Sequence, residues 1–227
     1  MDPQVTMKKG FGQMIPAFRE ELHRLDQAIA QEMGGKTDFA IQFASSYFGE
    51  GVSAITFSYA LFLASIYGGG HVMVIEGNIR RPTFAAINGV NVERGLQSVL
   101  NGTARLKDGL LLLRDSGISV LPAEEGRSGV DVLASERSRF PLGELIRESM
   151  ERFRFVLIDG PPVIPFVDAA LLAGAVDGVV FVIESNRTRA QVVEHALDKL
   201  GAAGARILGT ILNKREFHIP GFIYKIL

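Results

Sequence analysis

Short runs of β-branched and aromatic residues alternate along this chain with longer segments in which apolar positions recur at helical spacing. The runs at 38–44 (DFAIQFA), 71–76 (HVMVIE), 118–121 (ISVL), 154–158 (RFVLI), 178–183 (GVVFVI) and 206–212 (RILGTIL) predict strands. The segments at about 52–67, 82–87, 93–101, 134–152, 167–175 and 187–203 predict helices, most of them running into a glycine. Strands this apolar are buried on both faces, so the expected fold class is α/β: a doubly wound, mainly parallel sheet with helices on both faces. In such sheets ligands sit outside the carboxyl ends of the strands, so the polar residues that follow each run are the candidates for chemistry. The stretch PAEEGRSGVD at 122–131 reads as a mobile surface loop.

With 227 residues, 47% of them hydrophobic, the chain is long enough for one well-buried domain. It divides into an N-terminal helical segment at 1–37, a core at 38–214 and a C-terminal tail at 215–227. A formal net charge of −1 argues against nucleic acid as a partner. The absence of cysteine excludes disulfides, thiolate metal sites and a cysteine nucleophile, and it fits a cytoplasmic protein. The opening MDPQVTMKKGFG lacks the apolar core of a signal peptide, and later apolar stretches are broken by Gly, Asp or Arg before they reach membrane-spanning length. His23, His71, His195 and His218 are scattered without metal-ligand spacing, and no histidine–carboxylate pair accompanies Ser45 or Ser46 in the manner of an activated nucleophile.

The run after the first long strand, Ser46-Tyr47-Phe48-Gly49-Glu50-Gly51-Val52-Ser53, follows the phosphate-binding pattern GxxxxGK[ST] in its second glycine and its hydroxyl. Such a loop joins a buried strand to a helix, and its backbone N–H groups converge on a phosphate with help from the helix dipole. Here the first glycine position holds Ser46 and the lysine position holds Val52, while Ser53 keeps the hydroxyl that would reach Mg²⁺. Two further strand ends match in order: Glu76-Gly77-Asn78-Ile79-Arg80-Arg81-Pro82 after 71–76, and Asp159-Gly160-Pro161-Pro162 after 154–158. An apolar strand ending in Asp supplies the second carboxylate of a P-loop Mg²⁺ site, because a hard cation needs oxygen ligands at a fixed distance from the phosphates.

Together, FGEGVSA, VMVIEGNIRRP, GLQSVLNG, ISVLPA, FRFVLIDGPPVIPFVDA, VDGVVFVIESNRTR and ARILGTILNK resemble the bacterial tyrosine kinases of capsule and exopolysaccharide export, the BY-kinases. These form a branch of the P-loop group that includes ATPases of the MinD and ParA type. The resemblance covers about 38–214 and implies the P-loop NTPase fold. It implies that Gly49, Glu50, Gly51, Val52, Ser53 and Ala54 surround the phosphates, that Arg80 and Asn213 complete the nucleotide site with Asn213 near the base, and that Ser53 and Asp159 hold Mg²⁺. Glu50 is usual in this family and is expected to point to solvent.

Departures fall at the chemistry. Where the family has lysine there is Val52, and where its second motif reads Asp-x-Asp-x-Arg there are Glu76 and Asn78. Phosphoryl transfer depends on positioning and on stabilising spread negative charge, so the catalytic set Asp159, Glu76 and Asn78 is degenerate. Binding of ATP or ADP with Mg²⁺ is accordingly expected to be weak or absent, with Arg80 or Arg81 as the substitute cation the sequence offers.

The tail FHIPGFIYKIL carries one tyrosine, Tyr224, in place of the family's tyrosine cluster. The N-terminal helix, aligned by Leu22, Leu25 and Ile29, only partly matches the family's ring-forming Glu-x-x-Arg-x-x-Arg: Glu20, His23 and Asp26 in one frame, Glu21, Arg24 and Gln27 in the next, the solvated face of an amphipathic helix. The reading is a regulatory pseudokinase of polysaccharide biosynthesis and export, cytoplasmic and peripheral to the inner membrane, that binds the cytoplasmic segment of a membrane co-polymerase. Self-association is a further option. The alternatives are an active ATP-dependent protein-tyrosine kinase and a MinD-type nucleotide-switch ATPase.

Overall fold

The computed structural model describes residues 4–5, 18–125 and 139–214. Its strands are β1 (Gln4–Val5), β2 (Phe39–Ser45), β3 (Val72–Glu76), β4 (Leu111–Leu113), β5 (Ser119–Leu121), β6 (Phe155–Asp159), β7 (Gly178–Glu184) and β8 (Ile207–Asn213). The helices are α1 (Arg19–Glu32), α2 (Val52–Tyr67), α3 (Phe84–Asn88), α4 (Leu96–Leu100), α5 (Leu106–Gly109), α6 (Arg139–Met150), α7 (Asp168–Ala173) and α8 (Ala190–Ala202). One sheet of eight strands runs in the order β1-β4-β5-β3-β6-β2-β7-β8. Every pairing is parallel except β4 with β5.

Alternation along the strands sorts the core. Ile41 and Phe43 of β2 face α1 and α2, where they meet Leu22, Ile29, Phe57 and Tyr59. Ala40 lies on the opposite face with Leu96, Leu145 and Ile146 from α4 and α6, and Ala44 packs there with Ala169, Ala196 and Leu200 from α7 and α8. Residues Thr56–Leu63 of α2 are all buried, as befits a helix covered by α1 on its outer side. Leu22 and Ile29 belong to the same core as β2, so the N-terminal helix shares the core's packing. Its Glu20, Glu21, Arg24 and Gln27 are exposed, with Glu20 and Arg24 forming a surface ion pair at 3.9 Å.

The strands expected from 38–44, 71–76, 154–158, 178–183 and 206–212 all form, with ends within a residue of the hydropathy bounds. Two strands escape the pattern. Gln4–Val5 is too short to show a period, and Leu111–Leu113 is a leucine run that does not separate strand from helix; the two pair in parallel as Gln4↔Leu112 and Val5↔Leu113. The stretch 122–131 is corrected where it is described. Pro122, Ala123 and Glu124 are buried, the Leu96 N–H donates to the Pro122 carbonyl at 2.8 Å, and Glu124 Oε1 accepts the N–H groups of Gly95 and Ser98 at 2.6 and 3.1 Å. That carboxylate caps α4. The rest of the stretch, and the tail with Tyr224, lie outside the described residues.

Candidate functional site

The carboxyl ends of β2, β3 and β6 meet in register. Asp159 lies beside Phe43 on one side and beside Glu76 on the other, and the Gly77 N–H donates to the Asp159 carbonyl at 2.9 Å. Past β2 the chain turns into α2 through Gly49 (φ +88°) and Gly51 (φ +101°), a backbone that only glycine adopts without strain. Gly51 is required for a second reason: a Cβ there would stand 2.1 Å from Asn213 Nδ2. The loop after β6 is fastened to the loop after β2 by the Gly160, Val163 and Ile164 N–H groups, which donate to Phe43, Ser45 and Ser46 carbonyls at 2.9, 2.9 and 3.2 Å.

Glu50 was expected to face solvent and does the opposite. It is buried, one carboxylate oxygen accepts the Ser46 N–H at 2.8 Å, and the other accepts the Thr188 hydroxyl. A loop with Ser46 in place of its first glycine is thus closed from inside by its own glutamate. Asn213 reinforces it by donating to the Glu50 carbonyl at 2.8 Å, and Lys214 donates to the Gly49 carbonyl at 2.6 Å. Asn213 therefore braces the P-loop from the end of β8.

Glu76 is also diverted from the cleft. One oxygen accepts the Thr83 and Phe84 N–H groups at 2.6 and 2.8 Å, capping α3, and the other accepts the Ala123 N–H at 2.9 Å. The side chain's extra methylene relative to aspartate carries the carboxylate to these donors. Burial pushes its pKa up, opposed by the hydrogen bonds from Phe84, Thr83 and Ala123. Glu76 has become a brace for the turn that holds Asn78, Arg80 and Arg81.

Arg80, which the resemblance assigns to the nucleotide site, is engaged by two other groups. Its Nε donates to Asp168 Oδ2 at 2.5 Å and its Nη2 to Oδ1 at 3.3 Å, and its guanidinium lies 4.2 Å from the centroid of the Phe166 ring. A fully buried carboxylate and an aromatic face commit it to structure.

What remains facing the cleft is a space of about 270 Å³ lined by Ser53, Val52, Asn78, Arg81, Thr83 and Asp159, with the P-loop backbone from Gly49 to Ala54 on one side. Ser53 donates its hydroxyl to the Asp159 carboxylate. Burial raises the Asp159 pKa to about 7 against that hydrogen bond, and the nearby Glu76 charge adds to the rise. Asn78 Oδ1 is buried with no partner among the described residues. The oxygens that would hold Mg²⁺, Ser53 and Asp159, fit that ion, which when bound would neutralise phosphate charge. The lysine position does not fit a phosphate: Val52 is 9% exposed and packs into the core. Sequence reasoning missed Thr83, Thr188 and Asp168, which act only through contacts formed by the fold.

This is a P-loop NTPase fold in which the carboxylate of Asp159, at the end of β6, lines one cleft with the hydroxyl of Ser53, at the start of α2, and in which Val52 stands where the phosphate-binding pattern has lysine. No family model matches the chain. The solved kinase domain of VpsO is 30% identical, with a TM-score of 0.71 over 88% of this chain and 99% of that domain. The tyrosine-protein kinase CpsD of Streptococcus agalactiae is 29% identical over 184 residues, 81% of this chain and 78% of CpsD. The succinoglycan biosynthesis transport protein ExoP of Rhizobium meliloti is 28% identical over 208 residues, and the chain spans 26% of ExoP's length. The chain belongs to the bacterial tyrosine-kinase family of polysaccharide biosynthesis. Among the described residues, no helix is long and apolar enough to cross a membrane.

Proposed function

We propose that this protein is a regulatory pseudokinase of exopolysaccharide or capsule biosynthesis, which uses the kinase shape for docking and has lost phosphoryl transfer. The observation that carries the reading is the joint fate of two positions: Val52 brings no charge to the P-loop, and the Glu76 carboxylate is spent on the N–H groups of Thr83, Phe84 and Ala123. A site without its P-loop lysine and with its first acid held by three backbone donors lacks two of the groups that phosphoryl transfer uses to position the reactants and stabilise the charge that spreads in the transition state. The docking partner in this reading is the cytoplasmic segment of an inner-membrane polysaccharide co-polymerase, met through the face near α2 and held by an apolar contact that persists without nucleotide.

The retained Ser53–Asp159 pair favours one alternative, a nucleotide-operated switch of the MinD type, because that pair is what a Mg²⁺–nucleotide complex needs from the strand ends. Two measurements on the purified protein and its membranes separate the readings. ATP consumption and self-phosphorylation are expected at background, and the co-polymerase is expected in pull-downs with and without ATP. Strictly ATP-dependent recovery would establish the switch, and robust tyrosine phosphorylation would establish an active kinase.

A further inference from the structure

The cleft still holds a cation, carried on the turn after β3 and not at position 52 at the start of α2. Arg80 and Arg81 are adjacent in sequence and opposite in fate. Arg80 is bound to Asp168, whereas Arg81 lines the cleft together with Asp159, forms no ion pair among the described residues, and has its guanidinium 5.8 Å from the centroid of the Phe48 ring. Phe48 belongs to the P-loop itself and lines the same cleft, so this contact holds the guanidinium on the side of the turn that faces the loop. The turn that carries Arg81 is fixed at both ends: its N–H donates to the Asn78 carbonyl at 3.3 Å, and the next strand-side anchor is Glu76 on Thr83 at 2.6 Å.

Position 78 completes the argument. A carboxylate there would repel an anion approaching Arg81 from the same turn, and Asn78 removes that charge. Its Oδ1 is buried without a partner among the described residues, and rotation of the amide turns an N–H₂ group to the same place. Loss of the lysine and loss of the aspartate are thus matched: one positive and one negative group leave the cleft, and Arg81 becomes its cation.

We infer that Arg81 is the anchor for a diphosphate group in this cleft, holding it between its guanidinium and the N–H groups of Gly51 to Ala54, in place of the absent P-loop lysine. The ligand class is a nucleoside diphosphate or triphosphate, or free pyrophosphate. The inference rests on the pseudokinase reading only in treating Val52 as bringing no charge.

Calorimetric titration with ADP and, separately, with inorganic pyrophosphate tests it, each with and without Mg²⁺. The unaltered protein is expected to bind at millimolar or better. Arg81→Gln should weaken binding of both probes by about tenfold or more, because a charge-assisted bond to phosphate is lost. Arg81→Lys should recover most of the loss, and adding Val52→Lys to Arg81→Gln should restore binding from the start of α2. Thermal melts of Arg81→Gln should match the unaltered protein, since this side chain is exposed. ADP binding tighter than pyrophosphate would identify a nucleotide as the ligand, and equal binding would identify the diphosphate alone; both support the anchor. Arg81→Gln affinity within about twofold of the unaltered protein, or no binding of either probe at millimolar concentration, overturns it. Neither of those results restores a catalytic site, so the pseudokinase reading survives them; robust phosphate transfer by the unaltered protein defeats that reading whatever Arg81→Gln does.

Discussion

Arg80 and Asp168 are joined side by side, Nε to Oδ2 at 2.5 Å and Nη2 to Oδ1 at 3.3 Å, linking the turn after β3 to the first residue of α7. Asp168 is fully buried and Arg80 is one-fifth exposed, so the pair is shielded from screening on the carboxylate side. Removing one member leaves the other without its partner. Asp168→Ala is expected to destabilise the fold by about 3 kcal/mol, measured by urea denaturation, because an uncompensated buried charge costs more than the pair contributes. A loss under about 1 kcal/mol would show that Phe166 and water suffice for the guanidinium.

Asp159 makes stability depend on pH. Its folded pKa is raised to about 7 from the ordinary 3.8, so the native state holds a proton that the unfolded chain releases earlier. The advantage is full below about pH 4 and is lost as pH rises through about 7, an effect of order 4 kcal/mol. Glu76, also raised, adds in the same direction. Denaturant midpoints taken in EDTA across that window should fall with rising pH, and Asp159→Asn should flatten most of the slope. An unchanged slope in the variant would assign it to other groups.

Nucleotide affinity and catalysis should separate at Val52. Val52→Lys is expected to tighten ATP·Mg²⁺ binding by about tenfold or more, since a lysine makes charge-assisted bonds to phosphate that valine cannot. Tyrosine phosphorylation should stay at background in a radiolabel transfer assay, because Glu76 remains bound to Thr83, Phe84 and Ala123 and groups that act as a unit do not add. Robust transfer by this single variant would show that Val52 alone withholds catalysis.

The P-loop of this protein should depend on Glu50 more than on any ligand. Glu50→Ala leaves the Ser46 N–H and the Thr188 hydroxyl without their acceptor, and about 2 kcal/mol of stability should go with them. Gly51→Ala should do comparable damage locally, since it both forces φ near +101° on a residue with a Cβ and displaces Asn213. Hydrogen exchange of the 46–54 amides would report both, and unchanged protection would show that the loop holds its shape by other means.

The layered sheet was legible because its central strands are apolar on both faces, and residues 52–67 match α2 at both ends. The strand-end residues of the site were legible for the same reason, since a strand's last residue fixes its neighbours in a parallel sheet. What the side chains do there was not. Glu50 turns inward because Thr188, far away in sequence, offers a hydroxyl, and Glu76 turns away because Ala123 and the start of α3 offer N–H groups. No local pattern encodes such pairings. Arg80 and Arg81 make the same point, since only the position of Asp168 and Phe166 separates a structural arginine from one that faces the cleft.

The triple grip of the Glu76 carboxylate also bears on what substitution at this one position can do. Aspartate there would be one methylene shorter and would release donors at Thr83, Phe84 and Ala123, with Val52 and Asn78 still in place. The acid that holds the turn after β3 is thus a keystone: three segments of the chain lean on one carboxylate, and none of these contacts involves a bound phosphate.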